Sequence, residues 1–320
     1  GRLRNQVSFM LSACNFYMPI FEEALDAYGL PLELRYLPII ESALNPSAVS
    51  RAGASGLWQF MIGTGKIYGL ESNSLVDERR DPIKATWAAA RYLKEMYDIY
   101  GDWNLVIAAY NCGPGTINKA IRRANGETDY WKIYNYLPKE TRGYVPAFIA
   151  ANYVMTYYCD HNICPMETNI PASTDTVQVN KNLHFEQIAD LCNVPLDQIK
   201  SLNPQYKKHM IPGDSKPYTL RLPIDAISTF IDKQDTIYAH RADELFRNRK
   251  TVAIKEITPS TRKTTTAVAG KGKLTYYTIK SGDTLSTIAG KYGVTIKDIQ
   301  RWNGMSNTKI AAGKRLKIYK

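Results

Sequence analysis

The residue best suited to acid–base chemistry is Glu41, because it lies within the largely apolar segment 34–44 (LRYLPIIESAL). A surface glutamate usually has polar neighbours, whereas burial among apolar side chains disfavours the carboxylate and raises its pKa. A carboxyl group with a raised pKa can act as a general acid near neutral pH. The alternative is a structural ion pair between Glu41 and an arginine such as Arg35.

Two further segments combine glycines with amide and aromatic side chains, the groups that suit a sugar ligand. Residues 53–61 read GASGLWQFM, and residues 108–115 read AAYNCGPG. Glycine lets the backbone approach a ligand closely, and an aromatic ring offers an apolar face with a polar edge. Each segment alone also fits a structural role, as a loop capped by a core tryptophan or as a helix end beside a buried tyrosine.

In this order and spacing, the three segments resemble the family 1 lytic transglycosylases of glycoside hydrolase family 23. The motifs of that family are a Glu-Ser pair, Gly-Leu-x-Gln-Phe-Met and Ala-Tyr-Asn-x-Gly, and a fourth motif follows here at residues 140–145 (ETRGYV). The resemblance covers about residues 20–155. It implies an all-α, goose-type lysozyme-like domain that cleaves peptidoglycan strands.

The resemblance also implies a mechanism with one carboxylate. Glu41 would protonate the glycosidic oxygen between N-acetylmuramic acid and N-acetylglucosamine, and then deprotonate the muramoyl C6 hydroxyl to close a 1,6-anhydro ring. No metal or organic cofactor is expected. The residues implied to position Glu41 and the sugar are Ser42, Trp58, Gln59, Met61, Tyr110, Asn111 and Tyr144. Trp58 stands where many members of the family carry methionine, which would alter a saccharide subsite rather than the reaction.

The segments that must hold these residues have helical patterns. Apolar residues recur at helical spacing from Phe16 to Tyr28, before Gly29, and again from Trp87 to Tyr100, before Gly101. Asp81-Pro82 predicts the start of the second helix. A further short helix is predicted over residues 103–110. The first half is therefore predicted to be an α domain.

The second half contains a repeat at an offset of 100 residues. Each copy is predicted to be a βααβ unit, with strands over 176–179 and 218–222 in the first copy and over 276–279 and 315–319 in the second. The matching residues are Phe185, Ile188, Ala189, Val194, Leu196, Ile199, Leu202 and Asn203, which recur as Leu285, Ile288, Ala289, Val294, Ile296, Ile299, Trp302 and Asn303.

The C-terminal copy resembles a LysM module, a type that binds glycans containing N-acetylglucosamine. The resemblance implies a role in glycan binding for Gly282, Asp283, Thr284 and Asn303. The first copy has Asn-Leu-His at residues 182–184, where the second has Gly-Asp-Thr. For this degenerate copy, packing against the catalytic domain is as good an interpretation as glycan binding.

These patterns predict a multidomain chain in which an all-α lysozyme-like domain precedes a degenerate and a complete LysM module. The predicted catalytic domain covers 1–165, the degenerate module 170–224, a helix and flexible linker 225–273, and the LysM module 274–320. The linker prediction depends on residues 251–273, which are rich in Thr, Lys, Ala and Gly and have almost no large apolar side chains. The layout resembles the membrane-bound type of the family.

The net charge of +11 lies entirely in the last part of the chain. Residues 251–320 contain 14 Lys and Arg against 3 Asp and Glu, and residues 1–250 contain 27 of each sign. This excludes a basic surface over the whole fold and predicts an anionic polymer as partner of the tail. The tail has no recognised nucleic-acid motif, so we expect peptidoglycan and not nucleic acid as the partner, bound by a monomer.

Cysteine use and hydropathy bear on the compartment. The chain has five cysteines, too few for a disulfide scaffold, although Cys159 and Cys164 are close enough to bridge; two separate thiols fit equally well. The four histidines have no metal-ligand spacing. No apolar run reaches the roughly 18 residues of a membrane span. We expect a periplasmic location in the cell envelope, with attachment to the outer membrane through an N-terminal anchor left open.

Three other functions stay open from sequence. A muramidase that hydrolyses the same bond would need a second carboxylate, for which Asp102 and Glu140 are the candidates near the motifs. A non-catalytic peptidoglycan-binding scaffold is disfavoured by the intact Glu41-Ser42 pair, and a nucleic-acid binder by the missing motif. Cys112 is a poor candidate nucleophile, because no histidine precedes His161.

Overall fold

The chain divides into two compact units, Gly1–Pro259 and Ser260–Lys320. The computed structural model describes residues 3–168, 170–171, 173–246, 256, 274–280, 283–303, 305 and 310–319. Within the first unit, a helical part is followed by a smaller module that contains two short sheets.

The helical part confirms the predicted α class. Its helices are α1 (Arg4–Ala27), α2 (Leu37–Ser42), α3 (Ile62–Ile67), α4 (Pro82–Tyr100), α5 (Trp103–Cys112), α6 (Pro114–Arg123), α7 (Tyr130–Ile133) and α8 (Lys139–Thr156). Short 3₁₀ turns cover Leu32–Tyr36, Glu78–Arg80 and Tyr134–Tyr136.

Local sequence explains where the two central helices begin and end. The Asp81 carboxylate accepts the backbone N–H groups of Ile83 and Lys84, which caps the N-terminus of α4. Gly101 adopts a left-handed conformation with φ of 63° and ends this helix. Asp102 then caps α5 by accepting the N–H of Leu105 at 2.8 Å. Helix α5 extends two residues beyond its predicted end.

One hydrophobic core lies among helices α1, α4, α5 and α8. Its fully buried side chains include Phe21, Trp58, Leu93 and Leu105. Trp87, predicted as part of the apolar stripe of α4, is 37% exposed and packs edge-on against Tyr28. The core therefore places α2 and α8, which carry Glu41 and Tyr144, against the same helical framework.

The smaller module of the first unit is a βααβ unit with additions. It contains β1 (Thr174–Val179), β2 (Asn182–His184), α9 (Phe185–Cys192), α10 (Leu196–Leu202), β3 (Met210–Pro212) and β4 (Tyr218–Pro223). Strands β1 and β4 pair antiparallel, from Thr174 opposite Pro223 to Val179 opposite Tyr218, and β2 pairs antiparallel with β3.

The chain after β4 continues this module. Helices α11 (Ile224–Asp232), α12 (Gln234–Ala239) and α13 (Ala242–Leu245) follow directly. Phe230 and Ile237 of these helices lie in the hydrophobic core of the module. The single helix predicted after residue 225 is thus three short helices, of which α11 and α12 contribute to that core. The predicted flexible linker over 251–273 lies outside the described residues, apart from Glu256.

The second unit contains a βααβ arrangement, as the repeat predicts. Its elements are β5 (Leu274–Thr278), α14 (Leu285–Tyr292), α15 (Ile296–Asn303) and β6 (Arg315–Tyr319). Strands β5 and β6 pair antiparallel, with Leu274 opposite Tyr319 and Thr278 opposite Arg315. Buried side chains such as Ile288, Ile299 and Ile318 form its core.

Two further observations concern membrane-spanning helices and disulfides. Among the described residues, no helix has both the length and the apolar character needed to cross a membrane. Cys159 and Cys164 are both exposed and free, so the structure contains no disulfide between them. Of the two interpretations of this pair, the structure has the separate thiols.

Gly56 is held where no side chain fits, which gives a test of the fold. Its φ is +90°, and a Cβ atom would lie 1.7 Å from the carbonyl oxygen of Arg79. We expect Gly56→Ala to lower the free energy of unfolding by about 2–4 kcal/mol, because backbone must move in addition to the strain of positive φ. Gly53→Ala is the matched control, since Gly53 has a similar φ of +88° and no atom within 4 Å.

The control should cost only about 1–2 kcal/mol, the strain of a left-handed backbone alone. Urea denaturation of both variants measures the difference. Equal losses at the two positions would contradict the close approach of Gly56 to Arg79.

Candidate active site

Glu41 lies in the last turn of α2, and its side chain is only partly accessible. The helix is short because Ala43 and Leu44, with φ of 51° and 59°, both adopt left-handed conformations. Burial raises the pKa of Glu41 to about 7; the hydrogen bond from Tyr144 opposes this rise, and the negative charge of Glu140 adds to it. A carboxyl group with this pKa is partly protonated at neutral pH.

Tyr144 of α8 donates its hydroxyl hydrogen to Oε1 of Glu41. Within the described parts of the chain, Tyr144 is the only hydrogen-bond partner of the Glu41 carboxyl group. The alternative pairing with Arg35 does not form, because Nη1 of Arg35 lies 2.5 Å from Oε1 of Glu22 and Nη2 donates to the Tyr36 hydroxyl at 3.1 Å. The glutamate in the apolar run is therefore not neutralised by a cation.

Ser42 and Tyr110 connect this carboxyl group to the 53–61 loop. The Ser42 hydroxyl lies 2.9 Å from the carbonyl oxygen of Leu57 and 3.0 Å from that of Pro38. Tyr110 of α5 donates its hydroxyl hydrogen to the carbonyl oxygen of Trp58 at 2.7 Å. Burial raises the pKa of Tyr110, and the nearby charge of Glu41 raises it further. Loop carbonyls thus fix both neighbours of the carboxyl group.

The second and third sequence segments line one cavity of about 310 Å³. Gln59 turns with φ of 50° and donates to the carbonyl oxygen of Gly56 at 2.9 Å. Oδ1 of Asn111 accepts the hydroxyl hydrogen of Thr141 at 2.9 Å. The lining residues are Trp58, Gln59, Phe60, Met61, Thr64, Tyr92, Tyr110, Asn111, Cys112, Gly113 and Pro114. Met61 is 46% exposed, so its side chain is accessible to a ligand.

Trp58 differs from the expectation that it shapes a saccharide subsite. Its side chain is fully buried, packs edge-on against Phe21 at 5.3 Å between ring centroids, and donates its indole N–H to Thr86 at 2.8 Å. An indole in this position cannot contact a sugar. Its carbonyl oxygen, which accepts the Tyr110 hydroxyl, is the part that belongs to the site. The ring is buried because it fills the core between α1 and α4.

Two further carboxylates have different surroundings. The Asp102 carboxylate caps α5, whereas Glu140 lies on α8 one turn before Tyr144 and is exposed. The influence of Glu140 on the pKa of Glu41 places its charge within electrostatic range. Burial raises the pKa of the Cys112 thiol, which disfavours the reactive thiolate.

The structure describes three of the four residues predicted to bind glycan in the second unit. Oδ2 of Asp283 accepts the Tyr277 hydroxyl and the Lys280 N–H, both at 2.8 Å, and Thr284 caps α14. Gly282 lies outside the described residues. Asn303 corrects the expectation, because its side chain is bound to backbone: it donates to the carbonyl oxygens of Ile299 and Lys317 and accepts the N–H of Lys317.

Three segments of the chain match known family models. Residues 18–133 match the transglycosylase SLT domain, residues 173–239 the LysM-like domain of lytic transglycosylase MltD, and residues 277–318 the LysM domain. The chain carries a transglycosylase SLT domain. The SLT match contains Glu41, the 53–61 loop and Tyr110, whereas Tyr144 lies beyond it.

The chain is 33% identical over 296 residues to membrane-bound lytic murein transglycosylase D of Escherichia coli K12, covering 91% of this chain and 60% of that protein. It is also 33% identical over 124 residues to the soluble lytic murein transglycosylase of the same strain, covering 37% and 19%. A solved structure of the 70 kDa soluble lytic transglycosylase from Escherichia coli aligns with a TM-score of 0.39 at 29% identity, covering 45% and 24%. The chain spans about 60% of the length of the first of these relatives.

Sequence reasoning missed the buried residues that hold the lining of the candidate active site in place. Thr86 holds the Trp58 ring, Thr141 holds Asn111, and Asp77 with Arg79 supports the 53–61 loop. Of these, only Asp77 and Arg79 lie in a recognisable sequence pattern. It is a run of charged residues that ends at Asp81, immediately before a helix start. That run also fits an exposed turn, so its spacing alone could not identify a buried pair.

The environment of Glu41 makes protein stability depend on pH. Since its folded pKa of about 7 exceeds the unfolded value, the native state binds this proton more tightly and loses stability as pH rises toward 7. Glu41→Gln removes this loss. From pH 5 to pH 8, the free energy of unfolding of the variant should therefore rise relative to that of the wild type, on the order of 2 kcal/mol.

Thermal unfolding of both proteins at the two pH values measures the effect. Tyr144→Phe should enlarge the pH-dependent loss, because it removes the hydrogen bond that lowers the pKa of Glu41. A stability difference between wild type and Glu41→Gln that does not change with pH would show that the carboxyl group is ordinarily solvated.

Proposed function

We propose that the chain is a peptidoglycan lytic transglycosylase that cleaves the bond between N-acetylmuramic acid and N-acetylglucosamine without water and leaves 1,6-anhydromuramoyl ends. The observation that carries this proposal is the Glu41 carboxyl group, poised near neutral pH and bound by Tyr144 within an SLT domain. The relatives named as lytic murein transglycosylases support the same reaction class.

In the first step, protonated Glu41 donates its proton to the glycosidic oxygen as the bond to the muramoyl C1 breaks. The positive charge that develops at C1 is stabilised by the acetamido group of the substrate. In the second step, the Glu41 carboxylate takes the proton of the C6 hydroxyl while O6 forms a bond to C1. The proton count balances, and Glu41 returns to its protonated form ready for another cycle.

Tyr144 favours the first step, because a donated hydrogen bond stabilises the carboxylate that this step produces. Without Tyr144, burial would hold the proton too firmly on Glu41. The cavity lined by Gln59, Met61 and Asn111 offers amide, thioether and aromatic surface to the sugar rings. The hydroxyls of Ser42 and Tyr110 bind the 53–61 loop and so hold it beside the carboxyl group.

A muramidase is the second candidate, and Glu140 is the observation that favours it. Its charge acts on Glu41, as a second carboxylate in a hydrolase would. The two enzymes differ in product mass, because each hydrolytic cleavage adds one water molecule.

The deciding experiment is mass spectrometry of muropeptides released from purified peptidoglycan. We expect anhydro-muropeptides from the wild type, and a loss of at least about 10²-fold in their release from Glu41→Gln, since glutamine keeps the shape of the side chain but cannot transfer the proton. Glu140→Gln is the control for the second carboxylate and should retain the anhydro product. It should also shift the alkaline limb of the pH–rate profile to lower pH, because it removes a charge that raises the pKa of Glu41.

Products that carry the extra water, together with a severe loss in Glu140→Gln, would identify a muramidase. A folded Glu41→Gln variant with wild-type turnover would remove Glu41 from the mechanism altogether.

We further propose that the protein acts as a monomer in the periplasm and that its LysM unit retains it on peptidoglycan. The predicted boundaries 1–165 and 274–320 are part of this proposal, whereas the degenerate module extends beyond residue 224, because Phe230 and Ile237 belong to its core. Linking a second binding module to one insoluble polymer raises the effective concentration of the enzyme without new contacts at the catalytic site. The basic excess beyond residue 250 adds an attraction to anionic cell wall that salt screens.

Removal of residues 260–320, the second compact unit, tests this division of labour. We expect weaker pelleting with intact sacculi and slower digestion of sacculi at low enzyme concentration, with the salt-sensitive part of binding reduced. Cleavage of short soluble glycan fragments should stay within about twofold of the wild type. An equal loss on soluble fragments would mean that the second unit completes the active site.

A further inference from the structure

Segment 71–80 of the SLT domain packs against the LysM-like module. Leu75 and Val76 of this segment are members of the module's hydrophobic core and are 4% and 0% exposed. The backbone N–H of Asp77 donates to the carbonyl oxygen of Gln205 at 2.9 Å. Separating the module from this segment would expose two aliphatic side chains to water and leave backbone groups without partners.

Charged groups reinforce the same contact. Nζ of Lys207 donates to the carbonyl oxygen of Asn73 at 2.7 Å and lies 3.6 Å from the Asp77 carboxylate. Nζ of Lys216 lies 2.6 Å from the Glu71 carboxylate. The module thus contributes the cations, and the 71–80 segment contributes the carboxylates and a carbonyl oxygen. Of the two carboxylates, Asp77, which faces Lys207, is the buried one.

Asp77 passes this contact on to the 53–61 loop. Its carboxylate forms a bidentate pair with Arg79, at 2.9 Å from Nε and 2.8 Å from Nη2, and both side chains are almost wholly buried. Nη1 of the same guanidinium donates to the carbonyl oxygens of Gly53 and Phe60, at 2.8 and 2.9 Å. One arginine therefore ties both ends of the loop to Asp77.

The loop in turn fixes the neighbours of the candidate catalytic residue. Its Leu57 carbonyl oxygen accepts the Ser42 hydroxyl, and its Trp58 carbonyl oxygen accepts the Tyr110 hydroxyl. A continuous series of ion pairs and hydrogen bonds, buried or half-buried, leads from Lys207 of the module to the residues beside Glu41. A module that served only to bind glycan would not need these contacts with the SLT domain.

We propose that the LysM-like module is a positioning element of the active site: it fixes Asp77, and the Asp77–Arg79 pair holds the 53–61 loop in the geometry that Ser42 and Tyr110 require. This inference rests on the proposed function of Glu41. Asp77, Arg79 and Lys207 are positioning residues, since they act through the loop. A small misplacement of catalytic groups is costly in rate. By fixing the loop, the module would support catalysis without contacting the substrate.

The test compares kcat and KM on short soluble glycan strands for Asp77→Asn, Lys207→Met and the double variant, with Lys208→Met as a matched control from the exposed neighbouring position. We expect Asp77→Asn to lower kcat roughly 10- to 100-fold with a smaller change in KM, and Lys207→Met to lower kcat several-fold. The double variant should lose no more than about twofold beyond Asp77→Asn, because both changes act through one pair. The control should match the wild type.

Hydrogen exchange of the loop supplies a readout that is independent of activity. In Asp77→Asn and Lys207→Met, the amides of Ser55, Gly56 and Gln59, which bond within and around the loop, should exchange faster than in the wild type, while α4 stays protected. If Asp77→Asn does not fold, Lys207→Met carries the comparison.

Unchanged kcat and unchanged loop exchange in the folded variants would overturn the inference, as would losses that simply multiply in the double variant. A wild-type protein that yields no anhydro product would instead overturn the proposed function, and the exchange experiment would still decide whether module and loop are coupled.

Discussion

A carboxyl group that must remain partly out of water is the constraint on which the arrangement of the SLT domain depends. Burying an ionised carboxylate without a partner is costly, and proteins usually resolve the cost with a cation or by taking up a proton. Here Arg35 is engaged by Glu22, and the contact to Glu41 comes from the neutral Tyr144 hydroxyl. A pKa of about 7 is the consequence, because one hydrogen bond offsets burial only in part.

This constraint explains why so many surrounding polar groups are bound to backbone. The hydroxyls of Ser42 and Tyr110 are both directed to carbonyl oxygens of the 53–61 loop. If either hydroxyl turned toward Glu41 instead, a further donated hydrogen bond would stabilise the carboxylate and lower the pKa. By accepting both hydroxyls, the loop keeps these two donors bound to backbone. Its own conformation depends on buried groups that do not touch the carboxyl group at all.

Sequence reasoning was successful where one physical property determines the outcome. Glu41 stands out because a charge in an apolar run is rare, and the helix limits at Asp81 and Gly101 follow from capping chemistry. It was unsuccessful for Trp58, because an aromatic ring suits a sugar and a core equally well, and only the packing against Phe21 decides between them. The Asp77–Arg79 pair escaped notice for a related reason: charged residues two apart are common in exposed turns, and their burial depends on a module about 130 residues further along the chain.

The two repeat copies show how one framework can serve different ends. Asn203 and Asn303 occupy the same place and make the same contacts: each side chain bonds the carbonyl oxygen four residues earlier and both backbone groups of a residue in the closing strand. The matching asparagines therefore reflect the need to join the second helix to that strand, and they carry no information about ligand binding. The copies differ where one has Gly-Asp-Thr and the other has strand β2, whose Leu183 is fully buried. Strand β2 thus adds Leu183 to the core that also takes up Leu75 and Val76, which favours a packing role for the first copy.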